Sequence, residues 1–160
     1  MIIPENIEKM LELTQTFGWL VGIDENLESH LCRTCGVKKI DDEHILILIT
    51  PSLSEKLTEV IQKHPKIGFT IVNAYTFESY QFKGKYIDKR PLIAEEENMK
   101  KRFMDGIKEV LLNMGFEYNG SFKKYADLEG LAVKMKVEEI YEQTPKPGTG
   151  KKLTVKSKEL

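Results

Sequence analysis

The chain has only two cysteines in 160 residues, Cys32 and Cys35, a single tryptophan, Trp19, and three histidines, His30, His44 and His64. Two cysteines cannot form the disulfide framework of a small secreted domain, so a reducing, cytoplasmic setting is expected. Neither charge is in excess: 24 Lys+Arg stand against 25 Asp+Glu, a formal net charge of −1. Without a global basic field, bulk electrostatic binding of nucleic acid or of an anionic membrane is excluded, and any anion must be held by local groups. Long apolar runs are missing too. The longest, His44-Ile-Leu-Ile-Leu-Ile-Thr50, is far short of the roughly 20 residues that cross a bilayer. The first residues, Met1-Ile-Ile-Pro-Glu-Asn6, show no basic segment leading into an apolar stretch, so no secretory signal is read there.

What is present is globular. The apolar share of 41% and charged share of 31% suit one folded domain of ordinary size. Pro4 with Ile7, Met10, Leu11 and Leu13 predicts a short first helix that ends before Phe17-Gly18. Alternating residues at Trp19, Val21 and Ile23, then Leu31 to Val37, then 45–49 predict a meander of three antiparallel strands, divided by Asp24-Glu-Asn26 and Asp41-Asp42. Ser52-Leu-Ser-Glu55 has capping-box spacing and opens a second helix through Leu57, Val60 and Ile61, stopped by Pro65. Strands follow over 67–72 and 79–87. In the latter Ser79, Gln81 and Lys83 share one face, and Tyr80, Phe82 and Gly84 the other. Met99, Phe103, Ile107, Val110, Leu111 and Met114 mark a long helix that begins at Glu95-Glu-Glu97. A sixth strand alternates through Leu131, Val133, Met135 and Val137. Six strands with local antiparallel connections and few helices predict an α+β fold, a mostly antiparallel six-stranded closed or split β-barrel with flanking helices.

Several motifs that suggest chemistry fail on inspection. Cys32-Arg-Thr-Cys35 has C-x-x-C spacing, but positions i and i+3 of a strand face opposite ways, and no second cysteine pair completes a zinc site. Gly148-Thr-Gly-Lys151 lacks the earlier glycine of a phosphate-binding loop, because Pro145 stands there. The histidines have no serine or cysteine partner in a recognisable hydrolytic motif, so no catalytic side chain is assigned. A dispersed polar set is more informative. Arg33 and Thr34 lie on the second strand; Thr50, Ser52, Ser54 and Lys56 surround the end of the third; Ser79 and Gln81 lie on the fifth. Chain reversal in a meander brings strand-end groups together, and hydroxyls with a lysine at a helix start can seat a phosphate.

The ordered segments resemble the pyridoxamine 5′-phosphate oxidase-like FMN-binding split barrels. The matching stretches are Leu31-Cys-Arg-Thr-Cys-Gly-Val37, Ile49-Thr-Pro-Ser-Leu-Ser-Glu-Lys56, Ile67-Gly-Phe-Thr-Ile-Val72, Glu78-Ser-Tyr-Gln-Phe-Lys-Gly84 and the closing segment from Val137 to Gly150. The resemblance implies one FMN-binding domain over residues 1–150, a Lys-rich tail over 151–160, and a homodimer with FMN in clefts between subunits. It implies cofactor contacts from Arg33, Thr34, Thr50, Ser54, Lys56, Ser79 and Gln81, and a small-molecule redox substrate for an oxidoreductase. The alternative it leaves open is a non-catalytic dimeric module that binds or senses flavin or haem. Glu55 departs from the neutral or basic residue of many relatives. The closing Trp and arginines of true pyridoxamine 5′-phosphate oxidases are absent, since Trp19 is the only tryptophan and the arginines are Arg33, Arg90 and Arg102. That specific activity is therefore not expected.

Overall fold

The computed structural model describes residues 3–53, 55–118, 124 and 126–153. Helix α1 (Glu5–Leu11) precedes strands β1 (Thr16–Ile23), β2 (Ser29–Lys39) and β3 (His44–Ile49). A short 3-10 turn, Pro51–Leu53, leads into α2 (Glu55–Lys63), then β4 (Lys66–Asn73), β5 (Ser79–Pro91), α3 (Ala94–Asn113) and β6 (Leu131–Glu142). The strands close into an antiparallel barrel in the order β1-β2-β3-β6-β5-β4. The α+β barrel expected from the periodicity is therefore the fold. No helix among the described residues is long and apolar enough to cross a membrane.

Side chains fill the barrel. Leu20, Ile45, Ile47, Ile49, Phe69, Phe82, Val133, Met135 and Ile140 point inward, with Phe69 and Phe82 in contact at 5.6 Å between ring centroids. Ile7, Met10 and Leu11 of α1 and Leu57 and Ile61 of α2 join the same core. Room for them comes from β1. A Cβ at Gly22 would stand 2.8 Å from Ile61, and one at Gly18 would stand 2.4 Å from the Thr34 hydroxyl. The alternation of Trp19, Val21 and Ile23 thus marks the strand without marking its inner side. Gly18, Leu20 and Gly22 face the core, while Trp19 and Ile23 are exposed.

Helix α3 covers the outside of β2 and β3, where Phe103, Met104 and Ile107 pack on Cys35, Leu46, Leu48 and Ala132. A bulge makes this possible. Thr34 pairs with Ile49 but Val37 pairs with Ile47, so β2 carries one extra residue across that step, with Gly36 at φ +147°. Cys32 lies in the barrel core and Cys35 beneath α3, both as free thiols. The two cysteines face apart, as strand geometry predicts.

One local expectation changes. Ser52 lies in the 3-10 turn and α2 starts at Glu55, so the Ser52/Glu55 capping box does not form; Pro51 holds the chain in that turn first. The chain also stays on the body past residue 150. Lys152 bridges to Tyr141 and the Leu153 amide donates to the Ile140 carbonyl, with Leu153 packed against the core. The remainder of the Lys-rich tail, 154–160, lies outside the described residues.

The acidic start of α3 does more than complement the helix dipole. The Glu96 side chain is 1% exposed and accepts a bidentate pair from Arg90 at 2.7 and 2.8 Å, plus the Ile93 amide at 3.1 Å. Lys38 of β2 stands 3.4 Å away. One carboxylate therefore joins the end of β5, the start of α3 and β2. The Arg90 guanidinium, against the cost of burial, holds the Glu96 carboxyl down to about 2 from its ordinary 4.5. A depressed carboxyl stabilises the fold fully above its unfolded value, and that contribution is lost as pH falls through the folded value. Discounted for the exposed face of Arg90, it amounts to about 2 kcal/mol. Urea midpoints should fall between pH 5 and 2 in the native chain, as order-of-magnitude bounds from this linkage. Arg90→Ala should lower stability at neutral pH by about that amount and flatten the acid limb.

Candidate functional site

The outer wall of the barrel centred on β1 and β4, which meets the cluster beneath α3 at Phe17, carries the candidate site. In β1 the residues opposite the glycine phase, Phe17, Trp19, Val21 and Ile23, point outward. Strand pairing sets Trp19 against Arg33 on one side and Thr70 on the other, Thr70 against Gln81, and Gln81 against Tyr141. The result is a row, Arg33–Trp19–Thr70–Gln81–Tyr141, across five strands at one level. The next level runs Leu31–Val21–Gly68–Lys83–Glu139. Both levels mix cations with flat or apolar groups.

At one end the Arg33 guanidinium lies over the Phe17 ring, 4.7 Å from its centroid, and Phe17 leans on Trp19 with centroids 6.5 Å apart. Stacking keeps the planar cation aligned along the wall. At the other end Lys83 Nζ sits 4.6 Å above the Tyr141 ring, and the Tyr141 hydroxyl donates to Glu139 at 2.9 Å. Hydrogen bonds from Lys152 and Tyr141 hold the Glu139 carboxyl below its usual range. Between the ends, Gly68 has no side chain and the wall dips into a groove of about 540 Å³, lined by Val21, Ile23, Lys66, Gln81, Lys83 and Glu138. Trp19 is 38% exposed and Leu31 62%, so large apolar groups border the groove.

The residues expected to hold a cofactor fall into separate groups. Arg33 and Thr50 are neighbours, because the pairing of Thr34 with Ile49 brings position 50 opposite position 33. Thr50 is 1% exposed and hydrogen-bonds Cys35, whose thiol burial pushes up to about 12. A thiol so far from ionisation is not a nucleophile at neutral pH. Thr34 points into the barrel, and its buried hydroxyl has no hydrogen-bond partner among the described residues. Lys56 is exposed beside Asp24, Glu25 and Asn26 at the β1–β2 turn. Four residues of β2, about 13 Å at 3.3 Å each, separate that turn from Arg33. Ser79 and Gln81 lie on β5, beyond β1 and β4 from Arg33. The Ser79 amide donates to Thr144 and its carbonyl accepts from the Gln143 amide. Ser54 lies outside the described residues.

Phe17, Trp19, Thr70 and Tyr141 were not evident from local spacing, because their adjacency comes from strand pairing distant in sequence. A signal did exist: glycine at 18 and 22 in one phase and large residues at 17, 19, 21 and 23 in the other. Each histidine has a carboxylate partner: His30 with Asp24 at 2.9 Å, His44 with Asp41 at 2.8 Å and His64 with Glu25 at 3.1 Å.

No family model matches the sequence, and no curated protein matches it. Solved structures do match in shape. HupZ of Group A Streptococcus is 12% identical, with 94% of this chain and 99% of that chain covered and a TM-score of 0.55. A candidate pyridoxamine 5′-phosphate oxidase from Lactobacillus delbrueckii is 11% identical over 88% of this chain and 93% of that chain, with a TM-score of 0.54. A Clostridium acetobutylicum protein of the pyridoxinephosphate oxidase family, related to general stress protein 26 of B. subtilis, is 14% identical over 94% and 92%, also with a TM-score of 0.54. The barrel therefore has the pyridoxamine 5′-phosphate oxidase-like split-barrel fold.

The inward hydroxyl of Thr34 yields a test. An unsatisfied buried hydroxyl costs roughly 1–3 kcal/mol. Thr34→Val, nearly isosteric, should raise the urea midpoint by an amount corresponding to about 1 kcal/mol; a lowered midpoint would show that the hydroxyl is satisfied in the folded chain.

Proposed function

We propose that the protein is an FMN-binding flavoprotein that works as a homodimer, with the flavin against the outer wall between subunits, and that it is an oxidoreductase acting on a small-molecule redox substrate in the cytoplasm. The observation that carries this reading is the Arg33 guanidinium stacked over Phe17 beside exposed Trp19. An oriented guanidinium suits a phosphate, and a neighbouring aromatic wall suits a planar ring system. The split-barrel likeness and the ordered sequence segments support the same cofactor class.

The residues present fit such a group. Arg33 would bind the phosphate, with Thr50 beside it, and Gln81 and Thr70 would orient polar edges of the ring across the wall. Bound flavin supplies hydride or electron transfer, while the protein supplies binding, orientation and exclusion of water. Lys56 and Ser79 lie off the row that holds Arg33 and Gln81, and apposing two copies through the wall around Leu31, Trp19 and Ile23 is how they would be gathered at one cofactor. A pyridoxamine phosphate oxidase activity is not part of the proposal: Arg90, one of only three arginines, is committed to Glu96. None of His30, His44 and His64 belongs to the aromatic row, so the row itself offers no imidazole to a haem iron, which favours the flavin reading over a haem module.

The test is visible absorbance of the purified protein after incubation with FMN and removal of the excess. Flavin bands should remain, bleach on addition of NAD(P)H and return in air. Retained flavin inert to every donor would move the reading to a storage or sensing module. Arg33→Ala should reduce FMN retention at least tenfold, or about 1.4 kcal/mol, with unchanged far-ultraviolet dichroism. Leu31→Asp should halve the mass measured by light scattering, because a carboxylate buried between apolar faces prevents association. A native chain already monomeric would exclude the intersubunit site.

A further inference from the structure

The turn end of the β1–β2 hairpin carries a side-chain cluster that the flavin reading does not use. Gly22 of β1 pairs with His30 of β2, and Ile23 with Ser29. Residues two apart on a strand share a face, so Asp24 follows Gly22, and Glu28 joins His30, on one side of the hairpin. That side looks toward α2, since a Cβ at Gly22 would meet Ile61, Leu57 and Val60. Asp24 is buried there, His30 half-buried and Glu28 exposed.

Their polar atoms converge. A carboxylate oxygen from Asp24, one from Glu28 and a ring nitrogen of His30 all lie within 4.8 Å of one another. No other three His, Cys, Asp or Glu side chains among the described residues gather as closely. Asp24 Oδ1 accepts the Asn26 and Glu28 amides at 2.9 and 3.0 Å, which leaves Oδ2 facing His30 Nε2 at 2.9 Å. Two carboxylates beside one imidazole are net negative whichever form the ring takes. The cations of α2 do not correct this. Lys56 and Lys63 border the neighbouring recess, but their charges are set against Glu25 and Glu59 in the same recess. Among the described residues neither lysine forms an ion pair with Asp24 or Glu28, and His64 is directed to Glu25 at 3.1 Å.

We propose that Asp24, Glu28 and His30 bind a divalent transition-metal ion of the zinc class, with water completing its shell. An imidazole beside two carboxylates suits zinc better than magnesium or calcium, which prefer oxygen ligands throughout. Two ligand atoms on one tetrahedral zinc stand roughly 3.3 Å apart, given bonds of about 2.0–2.1 Å. Asp24 Oδ2 and His30 Nε2, now 2.9 Å apart, need only a small opening to meet that spacing. The exposed Glu28 side chain is free to close on a third position. The ion would clamp the end of β1 to the start of β2. This assignment is independent of the flavin, since none of the three residues belongs to the aromatic row.

The experiment is calorimetric titration of the chelator-treated native chain with zinc chloride at neutral pH, beside a cobalt(II) titration followed by absorbance. One zinc per chain is expected, not displaced by excess magnesium. Cobalt should give weak visible bands without the near-ultraviolet band of a thiolate ligand. Glu28→Gln and Asp24→Asn should each weaken zinc by about tenfold or more. Neither variant should unfold the chain: Glu28 is exposed, and Asp24→Asn keeps an oxygen for the Asn26 and Glu28 amides. His44→Ala, which breaks the separate His44–Asp41 pair, should leave zinc affinity unchanged. No saturable uptake by the native chain would overturn the proposal, as would full affinity in both carboxylate variants. A thiolate band would move the ion to Cys32 or Cys35, and loss of binding in His44→Ala would move it to the β2–β3 turn; either result overturns the assignment equally. Displacement by magnesium would remove the imidazole from the ligand set and overturn it too.

Discussion

Closure of the six strands around Phe69 and Phe82 is the constraint from which the rest of the molecule follows. A small barrel has an interior just wide enough for side chains, and here Ile45, Ile47, Ile49, Val133, Met135 and Ile140 occupy it. Nothing the size of a cofactor enters. Only the outer walls have room for one, and there the outward residues not covered by α3 are free of the packing requirement. The helices divide those walls: α3 covers β2 and β3 near Cys35 and Leu48, and the wall centred on β1 and β4 remains open.

The same closure explains the glycines of β1. Strands that pair on both sides cannot move apart to admit bulk, so Gly22 makes space for Leu57, Val60 and Ile61 of α2, and Gly18 for Thr34 and Phe69. The large residues of β1 are therefore in the other phase, outside. The outward placement of Phe17 and Trp19 follows from core packing, and Arg33 stacks on the aromatic surface that results. Electrostatics enters at one structural point, Glu96, where a nearly inaccessible carboxylate is made tolerable by Arg90 and the Ile93 amide.

Local periodicity made the elements legible: the apolar run 45–49, the faces of 79–83 and the helix through Phe103 and Ile107 all appear where the spacing places them. Strand order across the closure was not legible, since β1 meets β4 and β3 meets β6 over long sequence separations. The site divides along that line. Arg33, Thr50 and Gln81 could be named from ordered segments, but their distances depend on which strands lie between them. Trp19, Thr70 and Tyr141 became neighbours only through pairing register. The inward turn of Thr34 likewise follows from phase relative to Gly18, and the bulge at Gly36 lies beyond what alternation alone can specify. Ser52 shows the opposite failure: a motif with correct spacing was overridden by the 3-10 turn that Pro51 begins.

The β5–β6 ribbon spans both outer walls, with Gln81 and Tyr141 at one end and Asp88 and Lys134 at the other. Its pairing slips twice between those ends, at Lys83/Gly84 and at Tyr86/Asp88. Each slip resets which residues point outward, so the phase at one end is uncoupled from the phase at the other. Insertion or loss of a residue beyond a slip can be absorbed there without inverting the aromatic row. The ribbon behaves as two short rulers joined end to end, and the two walls can therefore diversify separately in descent while sharing one backbone.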